Sequence, residues 1–101
     1  MKRHLIWDEA KRRSNLAKHG LDFRQADVVL DSSYRLDMHE IRRNELRVKS
    51  ISYALGFMAV LTVIHTRRGD ATRIISFRRA STIERETYND WLEKACERDD
   101  T

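Results

Sequence analysis

The segment from residue 46 to residue 80 constrains the fold most, because three successive runs in it are typical of extended strands. The runs are Leu46 to Leu55, Phe57 to Thr66 and Ala71 to Ala80. They are separated by Gly56 and by the turn sequence Arg68-Gly69-Asp70. The last two runs are therefore expected to form a β-hairpin, since Gly and Asp favour tight turns between strands. A sheet built on this region has to bury a face against other elements.

Helices are expected on both sides of this segment, and capping residues mark their ends. Asp8 is a natural N-cap for a first helix, and Gly20 stands at its C′ position. Asp22 begins a second predicted helix. Ser81 and Glu84 have the spacing of a capping box at the start of the last helix, where Glu84 is either the capping partner or a general base.

The remaining segments complete a β-α-α-β-β-β-β-α order. Leu5 to Trp7 and Tyr34 to Met38 are predicted strands, and the polar residues 40–44 are a predicted loop. We therefore expect one α+β domain over residues 1–101, with a twisted, mainly antiparallel sheet and helices packed on it.

The composition excludes several classes of protein. The longest apolar stretch, Leu55 to Ile64, is interrupted by Gly56 and Thr62 and is too short to cross a bilayer. The N-terminal residues lack an apolar signal region, so a cytoplasmic protein is expected. A single cysteine, Cys96, rules out an internal disulfide framework and a cysteine metal cluster.

Positive charge is concentrated in the second half of the chain. Six arginines and two acidic residues lie between His65 and Arg85, an excess of +4 that equals the formal net charge of the whole protein. The arginines are Arg67, Arg68, Arg73, Arg78, Arg79 and Arg85. Arginine suits bidentate contacts with phosphate and stacking on bases, which favours an RNA or DNA partner. The alternative is a solvated sheet edge, where charged side chains prevent aggregation.

These cationic residues suit phosphodiester chemistry. The sequence has no zinc-ligand spacing, no Gly-rich phosphate loop and no nucleophile motif, and its four histidines are scattered. RNA can be cleaved without a metal when a base activates the 2′-hydroxyl, cations stabilise the phosphorane and an acid protonates the leaving oxygen. A metal-independent reaction with no cofactor is therefore the one we expect.

Lys18 and His19 precede Gly20 at the end of the first predicted helix. The helix dipole favours positive side chains there, so a protonated His19 is a candidate general acid or phosphate contact. Ordinary capping of the last helical turn is the alternative for both residues.

Arg67 with Arg68, and Arg78 with Arg79, bracket one predicted strand pair. Neighbouring residues of a strand point to opposite faces of a sheet. One arginine of each pair is therefore expected to face the active surface.

Two segments resemble the BrnT toxin family. The segment from Trp7 to Phe23 is similar to the opening signature of that family, and the segment from Arg73 to Tyr88 is similar to its closing signature. The Arg68-Gly69 turn also fits, whereas Phe77 stands where a small residue is more usual.

The resemblance implies a type II toxin with a RelE-like fold that cleaves RNA without a metal and inhibits growth. It also implies neutralisation by a ribbon-helix-helix antitoxin similar to BrnA, and contact with operator DNA only through the toxin–antitoxin complex, with no membrane partner. The residues expected to be catalytic are His19, as acid or base, and Arg68 and Arg78, as stabilisers of phosphorane charge. Those expected to hold the RNA backbone are Lys18, Arg67 and Arg79.

Two other functions remain open at this stage. The same arginines would serve a non-catalytic nucleic-acid-binding domain, for which each arginine removed would lower the affinity by degrees. An interaction domain with an acidic protein partner would instead show no RNA affinity at moderate salt.

Overall fold

The computed structural model describes residues 3–99, whose strands form one five-stranded sheet. The strands are β1 (Leu5–Ile6), β2 (Leu36–Arg42), β3 (Glu45–Ala54), β4 (Ala59–Arg68) and β5 (Ala71–Arg79). The helices are α1 (Glu9–His19), α2 (Asp27–Leu30) and α3 (Thr82–Asp99). Short 3-10 turns occupy Phe23–Gln25 and Leu55–Phe57. Within residues 3–99, every helix is too short or too polar to span a membrane.

The sheet has the strand order β1-β5-β4-β3-β2. β1 runs parallel to β5, and the other three pairings are antiparallel. The α+β class expected from the sequence is thus confirmed, with three helices and a mixed sheet. The parallel pair joins the beginning of the chain to its last strand, so β5 lies inside the sheet for part of its length.

A tight turn connects the two strands of each hairpin. Gly69, with a positive φ of 60°, lies in the predicted turn between β4 and β5. Arg43 and Asn44 have φ values of 53° and 62° and connect β2 to β3. Two successive residues with positive φ match the twist of the flanking strands, as in type I′ hairpin turns.

The predicted loop at residues 40–44 was therefore wrong for most of its length. β2 starts at Leu36 and continues to Arg42. Its polar residues read as a loop, yet Arg42 pairs across the hairpin with Glu45. Opposite charges at facing positions stabilise a strand pair even where both strands are polar.

The predicted helix caps are present at three places. The Asp8 carboxylate accepts a hydrogen bond from a backbone N–H in the first turn of α1, and Gly20 ends α1 in the left-handed conformation at φ 71°. The Ser81 N–H donates to Glu84 Oε1 at 2.9 Å, and the Glu84 N–H donates to Ser81 Oγ at 3.2 Å. This reciprocal pair is a capping box.

The second predicted helix is broken into two pieces. The Asp22 carboxylate accepts from the Arg24 N–H at 3.0 Å, and the following residues form a 3-10 turn before the single turn of α2. Phe23, Ala26 and Val29 are all fully buried. The 3-10 turn changes the angle per residue and lets these three side chains reach one core.

The two faces of the sheet carry separate cores. The α1 face, covered by α1, α2 and the first 3-10 turn, buries Leu61, Val63 and Phe77. The α3 face packs Ile51 and Val60 against α3, chiefly through Tyr88, Trp91 and Leu92. Burial of each large apolar side chain contributes roughly 1.5–3 kcal/mol. Because α3 crosses only one end of its face, the rest of that face is open for function.

Candidate active site

Six cationic side chains lie on the open part of the α3 face. Lys49 pairs with Ile64, and Arg78 pairs with Thr62, in a register that places them on the same face as Ile51. We call this surface the arginine face. Its cations are Arg42, Arg47, Lys49, Arg68, Arg73 and Arg78, and the carboxylates on the same face are Glu40, Glu45 and Glu84. Positive charge exceeds negative charge here, as an anionic ligand requires.

A β-bulge brings Arg73 and Arg78 to this one face. The pairing of β5 with β4 shifts register near its middle and leaves Ile75 without a partner. Residues five apart in a regular strand face opposite sides, but one extra residue brings them to the same side. The same shift places Ile74 and Phe77, three residues apart, in one core on the α1 face.

Glu84, in the first turn of α3, accepts hydrogen bonds from residues of three strands. Its side chain is only 8% exposed. Oε1 accepts from Arg78 Nη1 at 2.7 Å, from Thr62 Oγ1 at 3.0 Å and from the Ser81 N–H at 2.9 Å. Oε2 accepts from Arg78 Nη2 at 2.9 Å and from Lys49 Nζ at 3.0 Å.

These contacts keep both members of the central ion pair charged. Burial opposes ionisation of Glu84, but hydrogen bonds from Arg78, the Ser81 backbone and Lys49 outweigh it and hold the pKa of Glu84 far below its usual range. The hydrogen bonds to Glu84 raise the pKa of Arg78. A carboxylate that stays ionised and accepts five hydrogen bonds is a poor general base. The capping role expected for Glu84 is present, and the arrangement disfavours the general-base alternative.

A second carboxylate orders the other end of the arginine face. Glu45 Oε2 accepts from Arg68 Nη2 at 2.7 Å, and Glu45 Oε1 accepts from Arg47 Nε at 3.1 Å. The Arg68 side chain is half exposed. Its remaining guanidinium hydrogens therefore face solvent and can bind an anion.

Arg47 and Lys49 were missed by the sequence analysis. Their spacing of two residues in a predicted strand is the one signal that places them on a common face. That spacing gives no information about the distant carboxylates that hold them.

Arg67 and Arg79, the chain neighbours of Arg68 and Arg78, lie on the α1 face of the sheet. Arg67 pairs with Thr72, and its Nε donates to the Gly69 carbonyl at 3.0 Å. Arg79 is exposed and pairs with Leu61, whose side chain belongs to the α1 core. Each arginine pair thus contributes one member, Arg68 or Arg78, to the arginine face.

Lys18 and His19 lie in a separate hollow between α1 and β5. The other residues that line it are Lys11, Ser14, Asn15, Ile75 and Ser76. Asn15 Nδ2 donates to the Phe77 carbonyl at 2.7 Å, and the Phe77 N–H donates to Asn15 Oδ1 at 3.3 Å. Ser76 faces the arginine side and precedes Arg78 by two residues, about 7 Å along the strand. The hollow therefore borders the arginine face without containing any of its cations.

A buried polar cluster on the α1 face was not expected from the sequence. Ser50 Oγ donates to Asp37 Oδ1 at 2.6 Å and lies 2.8 Å from His65 Nε2. Because the single Ser50 proton is used on Asp37, His65 Nε2 is the donor of the second hydrogen bond. Ser50 is fully buried, so it is inaccessible as a nucleophile. A cavity of about 280 Å³ adjoins the cluster and is lined partly by Arg35 and Arg67.

Charges in this cluster are set by its surroundings. Burial and the nearby Arg35 guanidinium lower the pKa of His65 to about 4. Burial raises the pKa of Asp37, but hydrogen bonds from Ser50 and Arg35 outweigh it, and the net shift is downward. His65 is therefore neutral and Asp37 ionised near neutral pH.

No group of three or more His, Cys, Asp and Glu side chains converges into a metal site within residues 3–99.

Residues 7–84 match the family model described as the ribonuclease toxin BrnT of type II toxin–antitoxin systems. The chain belongs to the BrnT family. A search of curated proteins found no match. Membership makes the chain a type II toxin–antitoxin ribonuclease toxin, with RNA as substrate and an antitoxin as partner.

The BrnT match covers the whole candidate site. It includes Lys18 and His19 near its beginning, the arginine pairs at the ends of β4 and β5, and Glu84 at its last position. The hollow and the arginine face thus both lie within the part of the chain that the family shares.

Proposed function

We propose that this BrnT-family protein is a cytoplasmic, metal-independent endoribonuclease whose reaction takes place at the border of the arginine face and the hollow of His19. Arg68 and Arg78 stabilise charge on the phosphorane, and His19 acts as general acid or base. Lys18, Arg67 and Arg79 hold the RNA backbone where it passes to the other face of the sheet, on which Arg67 and Arg79 lie. The observation that carries this proposal is the common orientation of Arg68 and Arg78 on an open, cationic part of the sheet.

The reaction needs only groups that the chain itself supplies. A base removes the proton of the 2′-hydroxyl, and the 2′-oxygen attacks the adjacent phosphorus. The bond to the 5′-oxygen breaks, and that oxygen takes a proton from the acid. The products are a 2′,3′-cyclic phosphate and a 5′-hydroxyl. Preorganised cations around the phosphorane lower the barrier because negative charge grows on its oxygens.

Arg78 keeps donors for such a phosphate. Its two Nη atoms are used end-on by Glu84. Nη1 uses its second hydrogen on the Arg79 carbonyl at 3.2 Å. Within the described residues Nε donates to no protein atom, so Nε and the second hydrogen of Nη2 form a free fork. A guanidinium fork of this kind binds two phosphate oxygens at once.

Two partner assignments accompany the enzymatic one. We propose that the antitoxin is a ribbon-helix-helix protein and that operator DNA is bound only through the toxin–antitoxin complex. Co-expression with a neighbouring ribbon-helix-helix protein should restore growth and yield a stable complex on purification. Growth arrest that continues when the ribbon-helix-helix protein is co-expressed would exclude that protein as the antitoxin.

Growth and RNA integrity after tightly induced expression test the enzymatic proposal. The unmodified chain should arrest growth and degrade RNA, and Arg78→Ala or His19→Ala should abolish both. Arg13→Ala is the matched control, since it removes one positive charge from an exposed position on α1. Cleavage by the purified protein should persist in excess EDTA and leave 2′,3′-cyclic phosphate ends. RNA binding without cleavage would instead favour the non-catalytic nucleic-acid-binding domain.

A further inference from the structure

The carboxylate of Glu84 does more than cap α3. A capping box requires one Glu84 oxygen at the N–H of Ser81, and Oε1 supplies it. Oε2 has no part in the cap and instead contacts the cations of Arg78 and Lys49.

This second oxygen fixes the spacing of the two cations. Arg78 Nη2 and Lys49 Nζ bond to the same atom at 2.9 and 3.0 Å, so they lie within about 6 Å of each other. Lys49 extends from β3 and Arg78 from β5, with β4 between them. Without the intervening carboxylate the like charges would repel, and both long side chains would be free to move.

A purely structural explanation accounts poorly for this arrangement. Buried ion pairs contribute little to stability, because removing the charges from water costs about as much as their attraction returns. The same carboxylate nevertheless collects two cations on a surface that is open to solvent on one side. Lys49 uses one of its three ammonium hydrogens on Glu84, and Arg78 retains its free fork.

We propose that Glu84 is a positioning residue, which holds Arg78 and Lys49 as one rigid two-cation site for the scissile phosphate of RNA, with Lys49 as an additional phosphate-binding residue. This inference rests on the proposed ribonuclease function. Glu84 itself touches no substrate. Its effect is to orient the two cations before RNA arrives, so that no reorganisation is needed as charge develops on the phosphate.

Glu84→Gln tests the inference, because Gln keeps the shape and one acceptor oxygen but removes the charge. Initial rates are measured on a single-stranded RNA oligonucleotide, or on messenger RNA in a translating extract where the oligonucleotide is not cut. We expect kcat to fall at least 10-fold, with KM changed less than threefold. Lys49→Met should lower kcat similarly, and Lys49→Arg should restore part of it.

Thr62→Val is the matched structural control, since it also removes a buried donor from Glu84 but leaves both cations in place. It should lower the melting temperature with little change in kcat. The double variant Glu84→Gln, Lys49→Met should be no slower than the worse single variant, because both act on the same site.

The outcomes separate this inference from the proposed function. If the Glu84→Gln variant folds and has the same kcat as the unmodified protein, the positioning role alone is overturned. If Glu84→Gln does not fold, a normal kcat for Lys49→Met overturns the two-cation site. Absence of cleavage by the unmodified protein in both assays overturns the ribonuclease proposal and the inference together.

Discussion

At the scale of single residues, His65 has the surroundings that most clearly connect pH to folding. It is held by Ser50, which is in turn held by the ionised Asp37. Burial and the charge of Arg35 both oppose protonation of the ring. The unfolded chain has no such opposition, so it takes up a proton on this histidine at higher pH than the folded chain does.

We therefore expect the free energy of unfolding to fall as the pH drops from 6.5 to about 4. The lowering of the His65 pKa from 6.5 to about 4 corresponds to at most about 3 kcal/mol. Above about pH 7.5, where the unfolded chain no longer binds a proton at this histidine, it should make no pH-dependent contribution. Urea unfolding followed by circular dichroism at half-unit steps of pH measures the effect.

His65→Gln should remove most of this pH dependence, and His4→Gln, at an exposed position, should leave it intact. The lowered pKa of Asp37 adds a loss of stability at acidic pH that both variants retain. If the free energy of unfolding changed equally with pH between 4 and 6.5 for His65→Gln and for the unmodified chain, the role given to His65 would be contradicted.

At the scale of elements, Asn15 joins α1 to the open edge of β5. Its amide donates to the carbonyls of Leu21 and Phe77 and accepts from the Phe77 N–H. β1 is too short to cover this part of β5, since it pairs only with Thr72 and Arg73. The side chain therefore replaces a missing strand and protects an edge that would otherwise be left unpaired.

Asn15→Ala should destabilise the protein by about 2 to 4 kcal/mol, because it leaves buried backbone groups of Phe77 without partners. Ser14→Ala, one residue away on the exposed side of α1, is the control and should change stability by less than about 0.5 kcal/mol. The midpoints of urea unfolding measure both effects, provided that the dependence of the unfolding free energy on urea concentration is the same for each variant. A loss below 1 kcal/mol for Asn15→Ala would mean that water replaces the amide without cost.

Local interactions made some elements predictable from the sequence. The cap at Asp8, the left-handed Gly20 and the box of Ser81 with Glu84 each depend on residues within a few positions of one another. The break after Asp22 was not predictable, since it follows from where Phe23 has to reach in the core. A capping pattern alone does not contain that information.

Contacts between distant residues account for what the sequence could not predict in the candidate site. Lys49 and Glu84 meet only because β3, β4 and β5 are neighbours, and their positions in the chain give no hint of it. The shared face of Arg73 and Arg78 depends on a bulge at Ile75, where no glycine or proline marks the irregularity. The roles proposed for His19, Arg68 and Arg78 remain predictions.

At the scale of the whole molecule, charge is distributed unevenly. The arginine face carries six cations that are already partly neutralised by three carboxylates. RNA binding to such a surface depends on the release of counterions from the backbone, so affinity should fall as salt rises. The carboxylates order the cations, and they also limit how tightly RNA is held when it is not being cut.

Removal of one phosphate contact should lower the salt dependence of RNA binding by a defined amount. We propose that Arg73, on the arginine face, contacts one phosphate. For a single-stranded RNA, Arg73→Gln should then reduce the slope of log Kd against log salt by about 0.7. Arg13→Gln, which has the same change in net charge on α1, should leave the slope unchanged. Fluorescence anisotropy at several salt concentrations, with the cleavage-deficient Arg78→Ala background, provides the measurement. Equal slopes for the two variants would show that net charge, and not the arginine face, governs binding.

The position of β5 beside β1 has a consequence for the order in which the protein matures during synthesis. The hydrogen bonds between Asn15 and Phe77 join residues 62 positions apart in the sequence. The strand that carries Arg73 and Arg78 is the last of the described strands to leave the ribosome, and Glu84 follows it. Contacts between residues so distant in the chain carry a loop-closure cost that slows folding. On this topology a growing polypeptide cannot bring Glu84 to Lys49 and Arg78 until translation has passed the first turn of α3, so we expect an unfinished chain to lack the proposed two-cation site.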